Sequence, residues 1–142
     1  MTEPRTSPPW HDLADHISEV RLRVGAASLG ELLAEAGRAL ARLQLRGAAP
    51  RAGGEWRTIE VSAGDRAALL AEWLNELIFL AETERWVAAE FEVESAGDRR
   101  MRARARGMRL ERVPGLVKAA TLHRLRVVDV PGGLEGDVVL DV

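Results

Sequence analysis

Polar and apolar positions change period along the chain, and the changes mark its elements. Residues 17–24 alternate, with Val20, Leu22 and Val24 on one face and Glu19, Arg21 and Arg23 on the other, which predicts a half-buried strand. Ser28 followed by Glu31 forms a capping box. It opens a helix whose apolar stripe is Leu29, Leu32, Leu33, Ala36, Leu40 and Leu43. A Gly- and Pro-punctuated loop at 47–54 separates this helix from a short strand at 56–61. Asp65 can cap a second helix, carrying Leu69, Leu70, Trp73, Leu77 and Leu80 inward and fraying near Thr83.

Two alternating runs, 86–95 and 99–107, flank the turn Ala96-Gly97-Asp98 and predict a hairpin. Glu90, Glu92 and Glu94 share one face of the first strand; Arg100, Arg102, Arg104 and Arg106 share one face of the second. A register with Ser95 facing Arg99 sets Glu94 on Arg100, Glu92 on Arg102 and Glu90 on Arg104. On the core face it sets Val93 on Met101 and Phe91 on Ala103. Two further strands are predicted at 117–130 and 137–142, separated by Pro131-Gly132-Gly133. Residues 1–10 read as a disordered tail. Two helices among these strands predict an α+β fold: one compact domain with the helices packed on mixed or antiparallel β-sheet layers.

Composition narrows the chemistry. The 142 residues suffice for one core without staples. The absence of Cys removes disulfides, cysteine metal sites and thiol catalysis. No unbroken apolar run is longer than that at 77–81, too short for a membrane span, and no apolar secretory segment is read in the Pro-rich start. A cytoplasmic setting without membrane contact is expected. The net charge of -2 gives no global attraction to nucleic acid or anionic lipid. The Arg stripe could bind phosphate, but the Glu stripe beside it cancels most of its field. Of the 20 basic residues, Lys118 is the single Lys, a compact ammonium in a chain that otherwise uses guanidinium.

No Gly-rich phosphate loop, dinucleotide fingerprint or nucleophile elbow occurs. His11, His16 and His123 lack a metal-helix spacing. What remains is a candidate carboxylate cluster near the end of the chain. Asp141 and the terminal carboxylate of Val142 are hard oxygen donors, and Glu19 completes a divalent-cation site if its strand lies beside theirs. A metal-dependent phosphoesterase using these carboxylates with Lys118, and an RNA-binding module using 99–112, are the alternatives this chemistry leaves open.

Four blocks in order resemble the archease family. They are Asp15-His16-Ile17-Ser18-Glu19-Val20 followed by Ser28-Leu29-Gly30-Glu31-Leu32; Trp73-Leu74-Asn75-Glu76-Leu77-Ile78-Phe79-Leu80; Val117-Lys118-Ala119-Ala120-Thr121-Leu122-His123; and Val138-Val139-Leu140-Asp141-Val142. The resemblance implies an archease-like domain over 11–142 and a non-catalytic partner of an RtcB-type RNA ligase. Archeases promote guanylylation of that ligase and its repeated turnover in tRNA splicing and RNA repair; no direct nucleic-acid binding is expected of this chain. It also implies a bound divalent cation, Ca²⁺, held by Glu19 and Asp141 with the Val142 carboxylate as neighbour. Lys118 takes the place of the family's functional Lys, with His16 and His123 supporting. The family pattern has Asp where Glu19 stands, so the carboxylate here reaches further by one carbon–carbon bond, about 1.5 Å.

Overall fold

The computed structural model describes residues 8–16, 18–51 and 53–142. Ten elements follow in order: β1 (Trp10–His16), β2 (Glu19–Ala26), α1 (Leu29–Gln44), β3 (Arg57–Ser62), α2 (Arg66–Glu84), β4 (Trp86–Ala96), β5 (Arg100–Arg109), β6 (Ala119–Ala120), β7 (Arg126–Val130) and β8 (Gly133–Asp141). They form two sheets in which every pairing is antiparallel, so the fold is α+β as the patterning predicts. One sheet runs β1-β2-β8-β6, with β7 also on β8; the other runs β3-β5-β4.

Both helices begin where their caps predict. The Ser28 hydroxyl accepts from the Glu31 N–H, and the Asp65 carboxylate accepts from the Ala68 N–H. The helices tie the sheets together: α1 contacts β2 and β4, and α2 contacts β3, β4 and β5 of one sheet and β6 and β7 of the other. This explains why α2 buries Leu69, Leu70, Trp73, Leu74, Leu77 and Ile78 rather than a single narrow stripe. Trp73 is fully buried, donates its indole N–H to the Leu33 carbonyl at 2.8 Å and meets Phe91 edge-on at 5.8 Å. Gly37 on α1 leaves room for that Phe91 ring, which a Cβ would approach to 2.8 Å. No helix among the described residues is long and apolar enough to cross a membrane.

The structure departs from the patterning in three places. β1 extends to Trp10, inside the stretch read as a tail; residues 1–7 lie outside the described residues. β1 carries few apolar positions because it is an edge strand, paired only to β2. The run 117–130 is two strands rather than one. Ala120 pairs with Leu140 and Arg126 with Asp137, so five residues oppose two and leave the sheet as a turn containing Arg124 at φ 54°. The hairpin register is also shifted. Glu92 faces Arg104 and Glu90 faces Arg106, because β4 continues to Ala96 and bulges between Val93 and Ser95. A shift of two residues keeps both faces intact, so the charged and apolar stripes remain where alternation puts them.

Candidate functional site

Strand register sets the residues that carry the proposed carboxylates opposite each other. Glu19 opens β2 and stands directly opposite Asp141, the last residue of β8. Across the other edge of β8, Asp141 faces Ala119. His16 faces Glu19 across the tight β1–β2 turn, where Ser18 adopts φ 66°; its side chain lies outside the described residues. The Val142 N–H donates to the Ser18 carbonyl at 3.0 Å, which holds the chain after Asp141 against the same turn. Residues far apart in sequence, Glu19 and Asp141, thus become neighbours on one sheet face.

Lys118 is fastened here by its backbone. Its N–H donates to the Asp141 carbonyl at 2.7 Å. Two residues further, Asn75 of α2 grips both sides of Ala120: its side-chain N–H donates to the Ala120 carbonyl at 3.1 Å, and its oxygen accepts the Ala120 N–H at 2.8 Å. On the other side of Lys118, Gly115 donates to the Gln44 carbonyl at 2.8 Å, where a Cβ would lie 1.9 Å from the Leu43 oxygen. The exposed Lys118 side chain lines a pocket of about 150 Å³ with Ile78, Ala81 and Glu82 of α2. This is not the depression that Glu19 lines. Glu19 shares a space of about 100 Å³ with His123, Arg21 and Asp137.

Among the described residues no three His, Asp or Glu side chains converge as a metal cluster. The donor set is two carboxylates, Glu19 and Asp141, beside the main chain at Val142. Oxygen-only donors of this kind fit a hard cation that completes its shell with carbonyls and water.

A second feature escaped the sequence reading. Asp137 on β8 is buried, and arginines from two neighbouring strands surround it. Arg21 donates from Nε at 3.2 Å and from Nη2 at 2.8 Å, and Arg126 donates from Nε at 2.9 Å. The Arg23 guanidinium lies 3.6 Å away. Burial pushes the Asp137 carboxyl up, but the Arg126 and Arg21 hydrogen bonds and charges outweigh it and hold the group below the usual carboxylate range. The available signal was an acid opening the Val- and Leu-rich run 137–140; its partners become visible only once β2, β7 and β8 are paired.

The arginines of β5 are largely answered by glutamates. Arg104 pairs with Glu92, Arg106 with Glu90 at 2.6 Å, and Arg102 with Glu60 of β3. Trp56 lies 5.1 Å from the Arg104 guanidinium and 4.6 Å from that of Arg106.

The architecture defines a two-sheet α+β domain in which Glu19 and Asp141 stand opposite each other across β2 and β8, with the Lys118 backbone tied to the same strand end. The model of the Archease protein family matches residues 11–142, and the chain belongs to that family. The protein archease of Methanopyrus kandleri is 32% identical over 143 residues, covering 94% of this chain and 99% of that relative. The protein archease of Methanothermobacter thermautotrophicus is 32% identical over 94 residues, covering 62% of this chain and 67% of the relative. The solution structure of a Methanobacterium thermoautotrophicum protein superimposes with a TM-score of 0.75 at 25% identity, covering 93% of this chain and 98% of that one. A Thermotoga maritima structure, described as an archease and possible chaperone, shares the fold with a TM-score of 0.65 at 19% identity, covering 91% and 94%.

Proposed function

We propose that this archease is an accessory protein that promotes guanylylation and repeated turnover of an RtcB-type RNA ligase in tRNA splicing and RNA repair. In this reading it is a partner of the reaction and not its catalyst. The observation that carries the reading is the meeting of Glu19 and Asp141 across β2 and β8, with the Lys118 N–H on the Asp141 carbonyl. Three of the motifs that the resemblance rests on, those carrying Glu19, Lys118 and Asp141, thereby adjoin although they are distant in sequence. The description of the Thermotoga maritima relative as a possible chaperone agrees with an accessory role.

Glu19 and Asp141 would hold a divalent cation, Ca²⁺ by the resemblance, with Val142 adjoining and His16 and His123 nearby. A glutamate in place of the family aspartate suits the flexible Ca²⁺ shell better than the rigid Mg²⁺ one. The cation would fix the two strand ends and the backbone that presents Lys118. Lys118 would contact the ligase.

The test is a ligation time course with limiting ligase from the same source, RNA bearing 2′,3′-cyclic-phosphate and 5′-hydroxyl ends, GTP and Mn²⁺. Several products per ligase, formed only when the archease is present, support the reading. Unchanged turnover by a competent ligase rejects it.

A further inference from the structure

Three arginines with no carboxylate beside them, Arg42, Arg46 and Arg112, lie around the C-terminal end of α1. Among the described residues Arg51, Arg85, Arg99, Arg100 and Arg124 are likewise outside any ion pair, whereas Arg102, Arg104 and Arg106 are all paired. Position at a helix C-terminus, where cations are favoured, accounts for Arg42 and Arg46. It does not account for Arg112, which arrives from the segment after β5.

Apolar concavities lie between these arginines. Arg46 and Arg112 rim a depression of about 490 Å³ that contains Leu45, Met108 and Leu110. Arg42 and Arg46 rim another, of about 540 Å³, containing Leu13, Leu43 and Leu116. Arg46 borders both. Leu116 is 64% exposed and also lines the Lys118 pocket, so the three hollows form a continuous arc that ends at the candidate site.

We propose that this arc is a docking surface for an acidic, apolar-bearing peptide segment of a partner protein. Its carboxylates would be held by Arg42, Arg46 and Arg112, and its aliphatic side chains would fill the two depressions. Charge complementarity commits the occupant to an acidic one, since guanidinium is the group best matched to carboxylate. Neither depression has an aromatic lining residue, so single-stranded RNA would find no stacking platform. The apolar atoms line hollows rather than a projecting face, which suits inserted side chains better than a lipid surface. The inference does not require the partner to be a ligase.

The test is titration of the ¹⁵N-labelled full chain with a short synthetic peptide alternating Glu and Leu. Parallel titrations use a Ser-for-Leu peptide, a Lys-for-Glu peptide, oligouridylate and phosphatidylserine vesicles. The surface predicts amide shifts within 42–49 and 108–116 for the Glu–Leu peptide alone, weakening as salt rises. Arg46→Glu with Arg112→Glu should weaken binding by about tenfold or more, and the milder Arg46→Gln with Arg112→Gln should move it in the same direction. Arg99→Glu, on the distant hairpin, should leave it unchanged. No shifts with the Glu–Leu peptide, equal binding of the Ser-for-Leu peptide, indifference to both double variants, or preference for RNA or vesicles each overturns the proposal.

Discussion

Glu19 and Asp141 face each other across the β2–β8 ladder, the first residue of one strand against the last of the other. Directly opposed carboxylates repel, and in an antiparallel pair their Cβ atoms lie about 4.5–5.5 Å apart. A cation between them would turn that repulsion into attraction. With saturating Ca²⁺ at about a hundred times its Kd, thermal unfolding should gain about 2.7 kcal/mol of stability. Glu19→Gln and Asp141→Asn should each remove most of the Ca²⁺-dependent gain while raising stability in chelator. Calorimetric titration and melting curves with and without Ca²⁺ check this; wild-type-like Ca²⁺ stabilisation in Asp141→Asn would place any cation elsewhere.

Lys118 separates function from folding. Its side chain is exposed, and its structural hydrogen bond comes from the backbone. Lys118→Ala should therefore change stability by no more than about 0.5 kcal/mol. It should nevertheless abolish stimulation of the ligase. Equal melting curves with lost turnover are the expected pair of results.

Asn75 acts one step back, as a positioning residue. Asn75→Ala leaves both polar groups of the Ala120 backbone without their α2 partner, at a cost of about 1–3 kcal/mol. Ligase stimulation should fall although Lys118 is intact, and amide exchange at 118–121 should quicken. Faster exchange distinguishes this from a direct contact with the partner.

Asp137 sets an acid limit. Its folded pKa lies below the unfolded value, so its stabilisation is present above about pH 4, the ordinary carboxylate value, and is lost as pH falls through the depressed folded value. Asp137→Asn should lower stability at pH 7 by about 1–3 kcal/mol and flatten the decline below about pH 4. Urea unfolding across that range measures both.

Trp73→Ala should cost about 3–5 kcal/mol, since it empties a fully buried position and removes the hydrogen bond to the Leu33 carbonyl. Urea midpoints relative to wild type give the value.

What was readable in the sequence was local. The Ser28 and Asp65 caps, the stripes of both helices and the two-faced charge pattern of 86–107 depend on neighbours within a few residues. Their outlines survive in the structure. What escaped depended on partners elsewhere. β1 looked unlike a strand because only β2 completes it, and the break at 121–125 follows from the space that β8 allows. Asp137 acquired its arginines through pairings on both sides of β8. In the site, the residue types at 19, 118 and 141 pointed to oxygen ligation and a special ammonium. Sequence could not show that the Lys118 side chain and Glu19 line different hollows. Asn75 stood in a recognised motif without a visible task, because its partner is a backbone, which no residue type reveals.

β8 lies between β2 on one edge and β6 and β7 on the other, yet it follows every other described element in the chain. The helices and the β3-β5-β4 sheet can therefore organise during synthesis while the first sheet still lacks its centre. Joining Glu19 to Asp141 closes a loop from residue 19 to residue 141, the kind of distant pairing that slows folding. The carboxylate pair consequently forms only after β8 has entered between β2 and β7, a step later than the folding of the helices and the other sheet.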